Sequence, residues 1–205
     1  MIGDKYTKFS ATGGGASVGL KLMKTGQTTS YRTGDDGDLE AGRATSFTVL
    51  ASNNPFGNTN RFTDELGGTT YTNNIAIDWS TYDGSTVLGY KRTLRAVGIN
   101  WNDAIDEALS LSIGGFISGW RMCNVKEIIN LYDYSKLDGS IMNYVPFSLI
   151  TGGLLLWTSN TKASITNTSY VMSNTNLMTQ QTKTSSASTT YMACRTFTVT
   201  GTILT

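Results

Sequence analysis

Residues 100–111, with the sequence NWNDAIDEALSL, constrain the fold more than any other segment, because their apolar side chains recur with the period of an α-helix. The apolar stripe consists of Trp101, Ala104, Ile105, Ala108 and Leu109. Asn100 is a suitable N-cap, and Asp103 is favourable near the positive end of a helix. Two glycines at 114–115 follow, as is common where a helix stops. The segment therefore predicts an amphipathic helix that packs on a core.

A second helix is predicted over residues 124–134, NVKEIINLYDY. Asn124 is the expected N-cap, and Glu127 can reach back to the Asn124 amide to complete a capping box. The apolar positions of this helix are Val125, Ile128, Ile129 and Tyr132. We predict that the helix ends near residues 133–135.

Strand patterns lie on both sides of the two helices. Residues 60–79 predict a hairpin, with β-forming residues at 61–64 and 69–72 around a tight turn at Gly67 and Gly68. Three apolar residues that then alternate onto one face are Ile75, Ile77 and Trp79. Later strands are predicted at 153–159, 168–173 and 190–200. This order predicts an α+β fold, in which two helices pack on a mostly antiparallel sheet with long polar loops.

The chain is predicted to consist of an arm and one domain. Residues 1–24 are rich in Gly, Ser, Thr and Lys and predict a flexible or attachment arm, whereas residues 25–205 carry the strand and helix patterns. The N-terminal sequence lacks the apolar segment of a secretory signal, and no run approaches the ~20 apolar residues of a membrane span. We therefore expect no membrane insertion.

The composition argues against several classes of function. Charged residues make up only 15% of the chain, and there is no histidine, which removes the usual general base and the commonest zinc ligand. The net charge is +1 and no basic run is present, so we expect no nucleic-acid partner. We predict a non-enzymatic protein without a cofactor. A glycosidase pair of Glu127 with Asp133 or Asp138 is the enzymatic alternative, but capping already accounts for Glu127.

Two acidic motifs suggest calcium, and both have a simpler interpretation. The loop TGDDGDLEAGR at 33–43 offers four carboxylates, but its spacing is not that of an EF-hand, and a turn in which Asp side chains accept backbone bonds explains it. These carboxylates are Asp35, Asp36, Asp38 and Glu40. The triplet Trp101-Asn102-Asp103 imitates a motif of calcium-dependent lectins, but it opens a predicted helix. We therefore predict no metal site, with a calcium loop at 33–43 left open.

The two cysteines, Cys123 and Cys194, leave another question open. They can form one disulfide or remain two free thiols, and free thiols are the simpler interpretation.

Several ordered motifs together resemble one protein family. They are KTGQTTSYRTGDDGDLEAGR, NRFTDELGGTTYTNNIAIDW, NWNDAIDEALSLSIGGFISGWRMCNVKEIINLYDYS, LLLWTSNT and YMACRTF. This order resembles the Lcl C-terminal-domain-like family of bacterial and phage domains, from Lys24 to about Phe197. The family sequence W-R-L-P is Trp120-Arg121-Met122-Cys123 in this chain, so the proline is lost, and W-S-S is Trp157-Thr158-Ser159. The resemblance implies a C-type-lectin-like fold.

The resemblance also implies where a ligand binds, because the late strands and their loops form an exposed face in that fold. The candidate ligand-binding residues are Asn160, Asn167, Tyr170, Asn174, Asn176, Gln180, Gln181 and Tyr191. Amide and hydroxyl groups both donate and accept hydrogen bonds, which suits sugars and peptides. Residues expected to have structural roles are Trp79, Trp101, Trp120, Arg121, Asn124, Glu127, Trp157 and Arg195.

The function implied is that of a phage virion protein, on the tail or capsid, which binds a host-surface glycan or protein without catalysis. We expect other virion subunits as partners and a homo-oligomer such as a trimer, which would multiply weak sites by avidity. Two alternatives stay open: an architectural decoration protein that docks on neighbouring virion subunits, and a bacterial surface adhesin.

Overall fold

The computed structural model describes residues 54–57, 59–95, 98–133, 146–147, 154–173 and 178–205, with Ser30, Thr33 and Asp38 as isolated positions. Several sequence predictions lie outside these residues: the arm at 1–24, most of the loop at 33–43, Asp138, Asn174 and Asn176.

Ten strands and two α-helices are present in the described part of the chain. In chain order they are β1 (Phe62–Thr63), β2 (Ile75–Asp78), β3 (Thr86–Lys91), α1 (Trp101–Leu109), β4 (Arg121–Met122), α2 (Val125–Ile129), β5 (Leu155–Thr161), β6 (Thr168–Ser173), β7 (Met178–Thr182), β8 (Thr189–Tyr191), β9 (Ala193–Thr200) and β10 (Ile203–Leu204). The predicted α+β class is therefore confirmed. No helix among these residues is long and apolar enough to cross a membrane.

The strands form two sheets. The first has the order β1-β2-β3-β9-β10, with β4 also paired to β9, and all of its pairs are antiparallel. The second has the order β7-β6-β5-β8, in which β5 and β8 run parallel and the other pairs are antiparallel. Helix α1 packs against β4 and β5, and α2 packs against β5 and β6.

One apolar core joins the two sheets. Ile75, Ile77 and Phe197 from the first sheet share this core with Trp157 and Val171 from the second. A second core lies on the other side, where Ile128 of α2 packs with Leu156 and Met172. Both faces of the central strands are thus buried, and the apolar area removed from water is the main stabilising contribution.

The hairpin prediction at 60–79 is right about its first strand and wrong about its second. Strand β1 pairs with β2, with Phe62 opposite Asp78, whereas residues 69–72 form turns. Tyr71 has a positive φ of 56°, which takes it out of the strand conformation. Ile75, Ile77 and Trp79 do share one core, but Ala76 and Asp78 between them are also buried, so β2 has no exposed face.

The helix predictions differ in accuracy. Helix α1 has Asn100 as its N-cap, and the Asn100 side chain accepts a bond from the Asp103 amide as predicted. Helix α2 has the predicted capping box of Asn124 and Glu127 but ends at Ile129, not near 133–135. Turns at Leu131 and Tyr132 follow, and their burial in the second core satisfies the apolar pattern without a continuing helix.

The strand predicted at 190–200 is two strands in two different sheets. Thr189–Tyr191 pairs with β5, and Ala193–Thr200 pairs with β3, β4 and β10. The chain passes from one sheet to the other at Met192. Strands β3, β4, β7 and β10 were not predicted from the sequence.

Candidate functional site

The outer part of the second sheet is a surface without carboxylates, which we call the polar surface: residues 158–173 and 178–188. From Thr158 to Ser188 the sequence contains no Asp or Glu. Its two cations are both engaged, because Lys162 Nζ donates to Gln180 Oε1 at 2.8 Å and Lys183 Nζ lies 3.9 Å from the centre of the Trp101 ring. With two lysines and no carboxylate, this surface carries a net positive charge.

Tyr170 and Gln180 are neighbours at the centre of this surface. They lie directly opposite each other in the β6–β7 ladder, and Thr168 lies opposite Thr182 two residues along. Direct partners in an antiparallel pair point to the same face, so these four side chains form one patch, which we call the Tyr170 patch. Gln180 and Thr182 are exposed, and Tyr170 and Thr168 are half-buried. The patch offers one flat ring surrounded by an amide and two hydroxyls.

Gln181 belongs to the opposite face of the same strand. It pairs with Ser169, which is fully buried, and its Nε2 donates to Ser185 Oγ at 2.7 Å. Gln181 Oε1 is buried without a hydrogen-bond partner. A ligand on the Tyr170 patch would therefore not contact Gln181, although the two residues were predicted to share a site.

The candidate asparagines Asn160 and Asn167 are exposed, but each also has a structural bond. Asn160 Oδ1 accepts from the backbone amide of Val125 at 2.9 Å and so joins the irregular end of β5 to the start of α2. The backbone carbonyl of Asn167 accepts from the Lys183 amide at 2.8 Å. The side-chain amide groups of both residues remain accessible to a ligand at the edges of the polar surface.

Tyr191 is a correction to the predicted ligand set. It is only 2% exposed, packs in the first core, and donates its hydroxyl to Glu107 Oε1 at 3.0 Å. The sequence motif placed Tyr191 on a strand with polar neighbours, but β8 is covered on both faces. A surface ligand would not contact this side chain.

The predicted structural residues include one charged cluster beside α2. Arg121 donates to Glu127 through both terminal nitrogens, at 2.8 Å and 2.5 Å, and Glu127 Oε2 also accepts from the Asn124 amide at 2.8 Å. Burial by itself would raise the pKa of Glu127, but the bonds from Arg121 and Asn124 outweigh it and lower that pKa overall. The bond to Glu127 in turn raises the pKa of Arg121. The Glu127 carboxylate is therefore held in place by Arg121 and the Asn124 amide.

The four tryptophans pack inside the fold and each indole N–H has a partner. Trp79 Nε1 donates to Thr63 Oγ1, and Trp157 Nε1 donates to the carbonyl of Ile99. The remaining acceptors are the carbonyl of Phe116 for Trp120 and that of Thr158 for Trp101. Trp101 is half-buried, and the other three are at most 1% exposed.

Arg195 in β9 links the loop before β4 to the first sheet. Its Nε donates to the Ser118 carbonyl at 2.8 Å, and its guanidinium lies 4.6 Å from the centre of the Phe197 ring. Burial lowers the pKa of Arg195.

One group that sequence reasoning did not find is formed by both cysteines and Glu127. Cys123 and Cys194 are free and fully buried, and their sulfurs lie with a Glu127 carboxylate oxygen within 4.8 Å of one another. Burial raises the pKa of Cys123 well above its ordinary value. The two cysteines are far apart in the chain, and only the pairing of β4 with β9 brings them together, so no sequence signal could have identified the group.

No protein-family model matches this chain, and the comparison with curated proteins finds no match either.

Proposed function

We propose that the protein is a non-catalytic recognition module of a phage virion, with a C-type-lectin-like fold, that binds a host-surface glycan or protein through the Tyr170 patch. The observation that carries the proposal is the absence of carboxylates along the whole of residues 158–188, combined with one half-exposed aromatic ring among amides and hydroxyls. The placement on a virion rests on the family resemblance of the ordered sequence motifs.

The chemistry of the patch suits the hydroxyl groups of sugars. A tyrosine ring supplies flat apolar area at a low cost in conformational entropy, and Gln and Thr groups supply both donors and acceptors for sugar hydroxyls. Calcium-mediated binding of hydroxyls needs several oxygen ligands of carboxylate type, which this surface lacks. We therefore expect direct, calcium-independent contacts between these side chains and sugar hydroxyls.

The test is binding of purified protein to immobilised neutral and sialylated oligosaccharides and to host cells. Tyr170→Ala should weaken binding by about tenfold or more, because a central aromatic contact contributes more than about 1.4 kcal/mol. The matched control is Thr196→Ala, an exposed position on β9 of the other sheet, which should leave binding unchanged. Binding should persist in the presence of a calcium-selective chelator. Full affinity in Tyr170→Ala, or loss of oligosaccharide binding in the presence of the chelator, would contradict the proposal.

A second candidate function is a decoration protein that docks on neighbouring virion subunits, and strand β7 favours it. Among the described residues β7 pairs with β6 alone, so its other edge presents unpaired backbone groups. Its sequence, MTQQT, contains neither a charge nor a proline, the usual devices that protect an edge strand from pairing.

The variant Thr179→Lys separates the two candidates. Thr179 is exposed and lies on the face of β7 opposite Gln180, so a lysine there should hinder edge pairing without touching the Tyr170 patch. A decoration protein predicts that Thr179→Lys lowers the occupancy of the particle in cryo-electron microscopy. A recognition module predicts unchanged oligosaccharide binding by this variant.

A further inference from the structure

The group formed by Cys123, Cys194 and Glu127 is a second candidate site, independent of the polar surface. Glu127 Oε2 lies 3.5 Å from Cys194 Sγ, and each of the three residues offers one donor atom to a common centre. Cysteine sulfur and carboxylate oxygen are both ligand types that Zn²⁺ binds in proteins. The chain has no histidine, so cysteine and carboxylate side chains are the zinc ligands that it can offer.

The strand register separates the Cα atoms of the two cysteines too far for a disulfide, while their sulfurs can still bind one shared ion. Arg121 pairs with Cys194, and the Cys123 amide donates to the Met192 carbonyl, so Cys123 and Cys194 are diagonal neighbours on one face. Diagonal positions in an antiparallel pair are about 7–8 Å apart, whereas a disulfide requires Cα atoms within about 4.4–6.8 Å. The sulfurs can therefore approach each other without the backbone being placed for an S–S bond.

The distances fit a tetrahedral ion. With bonds of about 2.3 Å to sulfur and about 2.0–2.2 Å to oxygen, tetrahedral geometry separates the two sulfurs by about 3.8 Å and each sulfur from the oxygen by about 3.5 Å. The sulfur–oxygen distance between Cys194 and Glu127 is 3.5 Å, and all three donor atoms lie within 4.8 Å. Modest rotation of side chains would complete the arrangement.

The neighbours of the group supply charge balance and orientation. Two thiolates, one carboxylate and a divalent ion sum to one negative charge, and the guanidinium of Arg121 offsets it. Arg121 and the Asn124 amide also hold the Glu127 carboxylate in place, as partners of a metal-bound carboxylate commonly do. The Glu127 side chain is 15% exposed, so ions have a route from solvent on that side.

We propose that Cys123 Sγ, Cys194 Sγ and Glu127 Oε2 bind one Zn²⁺ ion, with a water molecule at the fourth position. Binding converts both thiols to thiolates and releases two protons to solvent, and no oxidant or reductant is required. The ion joins β4, β9 and the first turn of α2, which makes it a structural link between the first sheet and the second core.

The experiment is a titration of the full, reduced, metal-free chain with Co²⁺ as a spectroscopic substitute, followed by displacement with Zn²⁺. We expect saturation at one ion per chain, a sulfur-to-cobalt charge-transfer band in the near ultraviolet, the visible bands of a tetrahedral ion, and a higher thermal midpoint with Zn²⁺.

Variants assign the ligands. The double variant Cys123→Ser/Cys194→Ser, which keeps side-chain size, should lose the charge-transfer band while its far-UV circular dichroism is unchanged. Arg121→Gln should weaken binding by about 10–100-fold, as loss of a residue that orients a ligand does. The matched control is Glu107→Gln, which breaks the Arg95–Glu107 pair on α1, outside the group of three donor atoms. Absence of the band in the reduced native chain, or its persistence in the double cysteine variant, would overturn the proposal.

Discussion

Arg61 and Asp78 form an ion pair that is almost completely shielded from water. Their side chains are 1% and 0% exposed, and they are joined by two bonds of 2.9 Å and 2.7 Å. The remaining groups are also satisfied, because Arg61 donates to the Asn130 carbonyl and Asp78 accepts from the Asn130 side chain and the Ser80 amide. Each buried charge is therefore compensated by the other, and removing one would leave the other uncompensated.

We therefore predict that Asp78→Ala lowers the free energy of unfolding by about 3–5 kcal/mol, because it leaves Arg61 charged and buried. The measurement is the urea midpoint. Glu107→Gln, which breaks the half-exposed pair with Arg95, should cost no more than about 1 kcal/mol. An equal loss of unfolding free energy in the two variants would contradict the prediction that burial makes the Arg61–Asp78 pair the more important one.

Tyr71 gives a prediction for alkaline pH. Burial is the main cause that raises the pKa of Tyr71 from 10.0 to about 12, partly offset by Arg92. A group with a raised folded pKa stabilises the fold below its unfolded pKa and loses that contribution as pH rises through the folded value. The native chain should therefore lose about 2 kcal/mol more than Tyr71→Phe between pH 10 and pH 12.

Urea unfolding at stepped pH checks this difference, with Tyr82→Phe measured in parallel as the control for loss of a tyrosine hydroxyl. Identical pH profiles for the native chain and Tyr71→Phe would contradict the assignment.

At the scale of elements, contacts at the ends of short segments contribute more to their stability than hydrogen bonds within them. Helix α2 has only five residues, which is too short to be stable alone, and its start is fixed by its own N-cap and by two contacts from outside the helix. The Asn124 side chain accepts the Glu127 amide, Glu127 pairs with Arg121, and Asn160 accepts the Val125 amide. The cap therefore links α2 to β4 and β5 at once.

We predict that Asn124→Ala lowers the free energy of unfolding by about 1 kcal/mol, within the 0.5–2 kcal/mol range of N-cap losses. Chemical denaturation is the measurement, and Asn102→Ala, an exposed site one residue inside α1, is the control with little expected effect. If Asn124→Ala lowers the free energy of unfolding by no more than Asn102→Ala does, the Asn124 cap does not stabilise α2.

At the scale of the whole molecule, the two sheets are one folding unit. Trp157, Val171 and Tyr191 of the second sheet pack directly with Ile77, Val87 and Phe197 of the first. The chain also crosses between sheets at Met192, with a single residue between β8 and β9. Neither sheet could keep its buried face covered if the other unfolded.

We therefore predict that unfolding followed by tryptophan fluorescence and by far-UV circular dichroism gives coincident transitions. Trp157→Ala should shift both transitions together, at a cost of about 3–5 kcal/mol for the lost core side chain. Two separated transitions would show that the sheets are independent, and would contradict the shared core.

The amino-acid sequence by itself determined the features that depend on neighbours in the chain. The caps Asn100 and Asn124, the capping box with Glu127 and the strands around Trp157 and Val171 all follow from local periodicity and short-range hydrogen bonding. The α+β class follows from the order of these elements. Strand β7 was missed because its MTQQT sequence has no apolar alternation.

Only the tertiary structure decided which of these segments meet. It buried Tyr191 against Glu107, placed Gln181 on the opposite face from Tyr170, and brought Cys123 beside Cys194 across 71 residues of chain. The physical reason is strand register: a shift of one residue moves every side chain to the other face, and for strands distant in the chain the register depends on which buried faces pack together.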